Sequence, residues 1–290
     1  MAETVAAGGG TSSTAAHPWI AELVLRLLGA ALQILATWAV VRALTPEEAG
    51  VYFRGFVIAL GLSTLLRGKY EIYLAQHIIG RRAATTGIPN GVLLMQIARR
   101  MLLRASLLCA LLLVVMADLD IQAPQLQTTL QTYLPFVLAV PCVSLSSLLG
   151  EALRAANRTL GIVVAAYAVN LSILLAVVLA PSDASLALYS WAFLLGSLVS
   201  MGVAVALAWR AFPVVRGEGY SLPLCRAEQQ AVDSRELIGL ARGVLLWGPL
   251  CILAVWAAPI QMAQYAVAAR SASPNRLDRL THGTASTKGR

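Results

Sequence analysis

The chain has 290 residues, of which 58% are hydrophobic and only 12% charged, and its mean hydropathy is +0.73. Soluble globular chains carry charge on about 25% of their residues, so this composition excludes an ordinary water-soluble domain. The net charge of +8 does not point to nucleic acid either. Its basic residues sit in short connections between apolar runs, with no aromatic-plus-basic surface beside them.

Several runs are apolar over about 20 residues, the length that crosses a hydrocarbon core of ~30 Å. Lipid cannot satisfy backbone N–H and C=O groups, so a spanning segment is a helix or part of a closed barrel. The unbroken Leu, Ala and Val runs lack the alternation of a barrel strand. The expected fold is therefore all-α, a polytopic membrane helical bundle.

In chain order, residues 1–19 are small and polar and read as a disordered tail, without the basic start of a secretory signal. Seven spans are predicted, at 20–42, 51–67, 98–117, 133–150, 161–180, 186–208 and 237–258. Between the second and third, Tyr70, Tyr73, Leu74, His77 and Ile78 recur at helical spacing. That stretch is expected to lie at the membrane surface, stopped by Arg81 and Arg82. Pro135 and Pro141 in the fourth span, and Gly248–Pro249 in the seventh, are expected to bend or interrupt their helices. Asn170, a lone amide in the fifth, suits a helix–helix hydrogen bond. Residues 271–290 form a polar, disordered tail.

Loop charges set the orientation. Arg67, Lys69, Arg81, Arg82, Arg99, Arg100, Arg154, Arg158, Arg210, Arg216, Arg226 and Arg235 follow the even-numbered spans. The odd ones are followed by only Arg42 and Arg54, with acidic Glu47, Glu48, Asp118, Asp120 and Asp183; Arg54 also falls within the short second span and blurs its start. Lys and Arg favour the cytoplasmic side, so the N-terminus is expected there.

No catalytic set, metal-ligand spacing or nucleotide fingerprint is visible, so neither an enzyme nor a cofactor is expected. His17, His77 and His282 are dispersed, and the four cysteines are far apart and read as small buried residues.

The chain repeats itself. Glu22, Leu23, Gly29 and Leu32 recur as Glu236, Leu237, Gly243 and Leu246 at a spacing of 214 residues. One deletion later Tyr52 meets Tyr265, and each copy has a proline in its loop, Pro46 and Pro259. The domains read as a six-helix lobe with its cytoplasmic linker over 20–235, then the first helix and loop of an incomplete second lobe over 236–270.

The stretch VVRALTPEEAGVYFRGFVIALGLSTLL resembles the opening hairpin of the polysaccharide flippases, relatives of the multidrug and toxic-compound exporters. Arg42, Leu44, Thr45, Pro46, Glu47, Gly50 and Tyr52 match its loop motif. APIQMAQYAVAAR is similar to that family's seventh helix and following loop, with Gln264 taken as the counterpart of Gly50. EALRAANRTLGIVVAAYAVNLSILL fits the junction between helices four and five. The resemblance covers about residues 20 to 270. It implies two six-helix lobes around a cavity that opens alternately to each side of a bacterial cytoplasmic membrane. It also implies an undecaprenyl-diphosphate-linked oligosaccharide as cargo, for O-antigen, capsule or exopolysaccharide synthesis. With one complete lobe here, the chain reads as a truncated copy, for which a second copy or another chain would supply the remainder.

A diphosphate crossing a low-dielectric slab calls for cations in a watery cavity. The candidates are Arg26, with Glu22 four residues earlier on the same face; Arg242, at comparable depth in the seventh span; and the stripe Gln96, Arg100, Arg104, with Arg99 beside it. The competing expectations are a cation-coupled drug antiporter, which needs a membrane-embedded carboxylate, and a glycan polymerase or ligase, which usually carries a large outer loop.

Overall fold

The computed structural model describes residues 18–79, 90–122, 127–156, 169–176, 185–212, 245, 248–249, 252–254 and 257–272. Residues 1–17 and 273–290 of the expected tails, all of 213–244 and most of the fifth and seventh spans lie outside them. Pro18 and Trp19 open the first helix, and residues 271–272 close the last. The described residues are all-helical in their regular structure, without strands. The helices are α1 (Pro18–Ala43), α2 (Pro46–Ile79), α3 (Asn90–Gln122), α4 (Gln127–Ala155), α5 (Leu186–Ala211) and α6 (Pro259–Ala272). A further helical stretch covers 169–176.

Four stretches are long and apolar enough to cross a membrane: Pro46–Arg67, Gly91–Asp118, Thr132–Ala155 and Leu186–Ala211. They contain the second, third, fourth and sixth predicted spans, except that α2 begins five residues before 51, at Pro46. The first predicted span is helical, and its apolar stretch Leu27–Ala43 is shorter than a full crossing.

α4 is the axis of the bundle, packed against α2, α3 and α5. Of its span, 78% is buried, against 17% for that of α3. α3 is peripheral, with Leu103, Leu107, Leu111 and Val114 open to the surroundings. The interior falls into two layers. Nearer the Pro46 end lie Tyr52, Phe53, Phe136, Tyr189 and Phe193. Nearer the Ile79 end lie Tyr70, Tyr73, Leu74, Ile97, Met101, Leu148 and Leu153.

The upper layer is an aromatic cluster. Phe136 meets Tyr52 edge-on with centroids 5.4 Å apart and lies 5.3 Å from Phe193, which also meets Phe56 at 5.3 Å. Gly55 permits this packing, because a Cβ there would fall 2.5 Å from the Phe136 ring. Small residues let membrane helices approach in this way. At a second seam Ser172 donates to the Ala192 carbonyl at 2.9 Å, beside Gly196. The interhelical bond expected of Asn170 is thus made here by Ser172.

Two buried serines bond within their own helices, whereas Ser63 Oγ and the Tyr189 hydroxyl are buried without a partner among the described residues. Ser144 donates to the Val140 carbonyl at 2.7 Å and Ser197 to that of Phe193 at 2.8 Å. Such local bonds make Ser compatible with an apolar interior.

Two expectations are corrected. The segment after Arg67 is not a separate helix on the membrane surface: α2 continues unbroken for 34 residues, about 51 Å at ~1.5 Å per residue. The amphipathic spacing is real, but its apolar face meets protein. Tyr70, Tyr73 and Leu74 pack with Leu93, Leu94 and Ile97 of α3, which begins at Asn90, and with Leu148 and Leu149 of α4. Nor does either proline interrupt α4, which runs through Pro135 and Pro141. Pro141 offers no N–H to the Val137 carbonyl four residues earlier, and the Cys109 thiol of α3 donates to that oxygen at 3.2 Å. A neighbouring helix thus supplies the donor that proline removes. Gly248 and Pro249 are helical, and the residues on either side of them lie outside the described set.

The repeat is carried by hydrogen bonds. α1 closes with the Leu44 amide donating to Val40 O at 3.1 Å, and the Thr45 amide donates to Glu48 Oε2 at 3.1 Å. Pro46 follows as the first helical residue and the Ala49 amide donates to Thr45 O at 2.9 Å. In the second copy Ala257 donates to Leu253 O at 2.9 Å and Ala258 to Gln261 Oε1 at 3.3 Å. Pro259 starts α6 and Met262 donates to Ala258 O at 3.1 Å. Every position is displaced by 213 residues. This is a helix break ahead of an N1 proline, built twice: a full capping box at Thr45 and Glu48, and only its Gln261 half in the second copy, where Ala258 has no side-chain oxygen. The register places Ala263 opposite Gly50, correcting Gln264. α6 packs mainly on α2 and lightly on α1, so the second copy lies against the first.

Candidate functional site

The sequence candidates separate into three groups. Arg26 and Glu22 lie on α1, but their side chains are outside the described set, as is Arg242 altogether. Arg99 is exposed and faces away from the rest of the bundle. Gln96, Arg100 and Arg104 flank the buried seam of α3 formed by Leu93, Ile97, Met101 and Ala105. The 3.6-residue period accounts for the split: Arg99 is about 200° around the helix from Ile97, and Arg100 about 60°.

This stripe meets α2 where the span ends. The Arg104 guanidinium carbon lies 5.8 Å from the Tyr70 ring centroid, within cation–π range. One turn before Tyr70, Arg67 Nη1 donates to Glu71 Oε1 at 2.6 Å, with both side chains about three-quarters covered. Arg67 Nε is buried without an acceptor. The helix hairpin α2–α3 thus sets the Arg67–Glu71 pair one turn from Tyr70, against which the exposed Arg104 lies, with Arg100 one turn along the same stripe of α3. The arrangement can hold a phosphate-bearing group against an aromatic and two helix faces. Sequence reading found Arg100 and Arg104 but counted Arg67 only as a loop charge, because the continuation of α2 past it was not anticipated.

The reading also passed over Arg54, treated as a flaw in the second span. It is half-buried inside Pro46–Arg67. Arg54 Nη2 donates to the Ala257 carbonyl at 2.8 Å, across 203 residues of sequence, and the Tyr133 hydroxyl lies beside its guanidinium. One signal could have found it. An ionisable residue within a span is a functional hypothesis by default, and Gly50, Val51, Val57 and Ile58, its neighbours one turn away, carry no charge.

The described carboxylates are all at helix ends or tied to arginine. Glu47 and Glu48 open α2, Glu71 pairs with Arg67, Asp118 closes the α3 span, and Glu151 pairs with Arg154. Among the described residues no group of three His, Cys, Asp or Glu side chains could hold a metal ion. Cys109 and Cys142 are buried free thiols, the role expected of them.

Fold and composition together define a class, a helical protein whose long apolar helices suit a membrane. No protein-family model, curated protein or solved structure matches the chain.

Proposed function

We propose that the chain is a membrane transporter of the flippase type, moving an undecaprenyl-diphosphate-linked oligosaccharide across a bacterial cytoplasmic membrane for polysaccharide synthesis. The observation that carries this reading is the cationic stretch of α2 and α3, where Arg104 lies over Tyr70 one turn from the Arg67–Glu71 pair and Arg100 follows on the same stripe. The loop charges favour the cytoplasmic side for that end, the side from which such a lipid would enter. The repeated hairpin supports it as well, since paired structural repeats are a common plan for transporters.

A cation-coupled antiporter is less well supported, because every described carboxylate sits at a helix end or on an arginine. The reading is tested by complementation in a strain lacking its own polysaccharide flippase. Expression of the chain restores surface glycan, and Arg67→Gln together with Arg100→Gln removes that restoration. Restoration unaffected by the double change would refute the assignment.

A further inference from the structure

Arg54 is a second cationic position, at the opposite end of the bundle from the seam just described. It lies eight residues into α2 from Pro46, about 12 Å along the axis at ~1.5 Å per residue. An arginine within a span is costly to bury, and its partners among the described residues do not neutralise it. The Ala257 carbonyl at 2.8 Å and the Tyr133 hydroxyl are both uncharged. Arg54 Nε is buried and has no acceptor.

The Ala257 bond has a structural rationale. Ala257 ends the helical turn before Pro259, where carbonyls lack intrahelical donors, and a cation there favours the negative end of the helix dipole. That accounts for one arm of the guanidinium and leaves Nε over. The second copy places Val267 at the position of Arg54, so the repeat does not demand an arginine.

We propose that the Arg54 guanidinium, with the Tyr133 hydroxyl, is a binding site for a phosphate oxyanion at the Pro46 end of the bundle. Nε and a terminal nitrogen present the planar pair of donors that a phosphate accepts bidentately, and Tyr133 adds a third. A phosphate repels helix C-terminal carbonyls, so the anion and Ala257 compete for the guanidinium. Binding therefore loosens the junction ahead of α6. This inference does not depend on a glycan cargo: the phosphate can belong to a lipid headgroup or to a free ion.

The test uses the full chain purified in a mild detergent. Thermal unfolding is followed against inorganic pyrophosphate, then in nanodiscs of phosphatidylcholine with and without phosphatidic acid. A saturable rise in midpoint is expected with at least one probe. Pyrophosphate response assigns a free anion, and response to phosphatidic acid alone assigns a lipid headgroup. Arg54→Gln weakens binding by about ten-fold or more, Arg54→Lys by about three-fold, and Tyr133→Phe by about three-fold. The exposed Arg210 provides the control, Arg210→Gln, with under two-fold change. If Arg54→Gln does not fold, the Lys and Phe variants carry the comparison. Absence of a saturable rise with both probes, or equal losses at Arg54 and Arg210, would overturn the proposal.

Discussion

Replacing Gly55 by alanine tests the central packing of the bundle. The added Cβ would lie 2.5, 2.8 and 2.9 Å from three carbons of the Phe136 ring, all closer than carbon atoms tolerate. The ring cannot retreat freely, since Tyr52 and Phe193 bracket it at 5.4 and 5.3 Å. Overpacking of this kind costs about 1–3 kcal/mol. Alanine also favours the helix over glycine by about 1 kcal/mol, which would mask part of the loss. Gly202→Ala removes that ambiguity, because a Cβ at Gly202 meets nothing within 4 Å. Subtracting one variant from the other cancels the propensity gain and leaves the clash, about 1–3 kcal/mol. The assay is reversible unfolding in mixed micelles, with denaturing detergent as the titrant and the two variants compared at one protein concentration. Phe136→Leu in the Gly55→Ala background should recover part of the loss, giving a coupling of about 1 kcal/mol. Equal stability of Gly55→Ala and Gly202→Ala would refute the close crossing of α2 and α4.

Three further outcomes follow from single contacts. The Cys109 thiol has the Val137 oxygen to itself because Pro141 lacks a donor. Pro141→Ala should therefore reduce the cost of Cys109→Ala, with a coupling of about 0.5–1 kcal/mol in a double-mutant cycle; strict additivity would contradict that account. Glu48→Ala and Gln261→Ala each remove the acceptor for an N-cap amide, so each should lower stability by about 0.5–1 kcal/mol, as read by the same unfolding assay. Gly196→Ala would push its methyl to within 2.8 Å of Val169 Cα. It should separate the 169–176 helix from α5 and slow or abolish disulfide cross-linking between cysteines introduced on the two, without changing cross-linking between α2 and α4.

Much of the fold is legible in the chain itself, because span length and charge alternation report directly on a solvent of fixed thickness. The start of α5 at Leu186 matches the predicted 186–208, whereas α4 runs about a turn and a half beyond 133–150 at each end. The hairpin break was readable too, since Thr45, Pro46 and Glu48 form a local cap that owes nothing to distant residues. The fate of Tyr70, Tyr73 and Leu74 was not readable. Periodicity shows that a face is apolar and is silent on whether lipid or another helix covers it; here α3 and α4 do. Ser172 rather than Asn170 makes a seam bond for the same reason. Which polar side chain reaches a neighbour depends on where two helices cross, and Gly196 fixes that point. Within the candidate site, helical spacing singled out Arg100 and Arg104, but only the extended α2 brings Tyr70 against Arg104, with the Arg67–Glu71 pair one turn away. Arg54 was visible as a charge in a span, while its carbonyl partner lies 203 residues away.

The proposed transport is tested most directly in sealed liposomes loaded symmetrically with a fluorescent undecaprenyl-diphosphate glycan, to which a membrane-impermeant quencher is added. With the chain present, quenching should proceed past the outer-leaflet half towards completion, and the Arg67→Gln, Arg100→Gln variant should stop near one half. A plateau at one half for the unaltered chain, matching protein-free liposomes, would contradict the assignment.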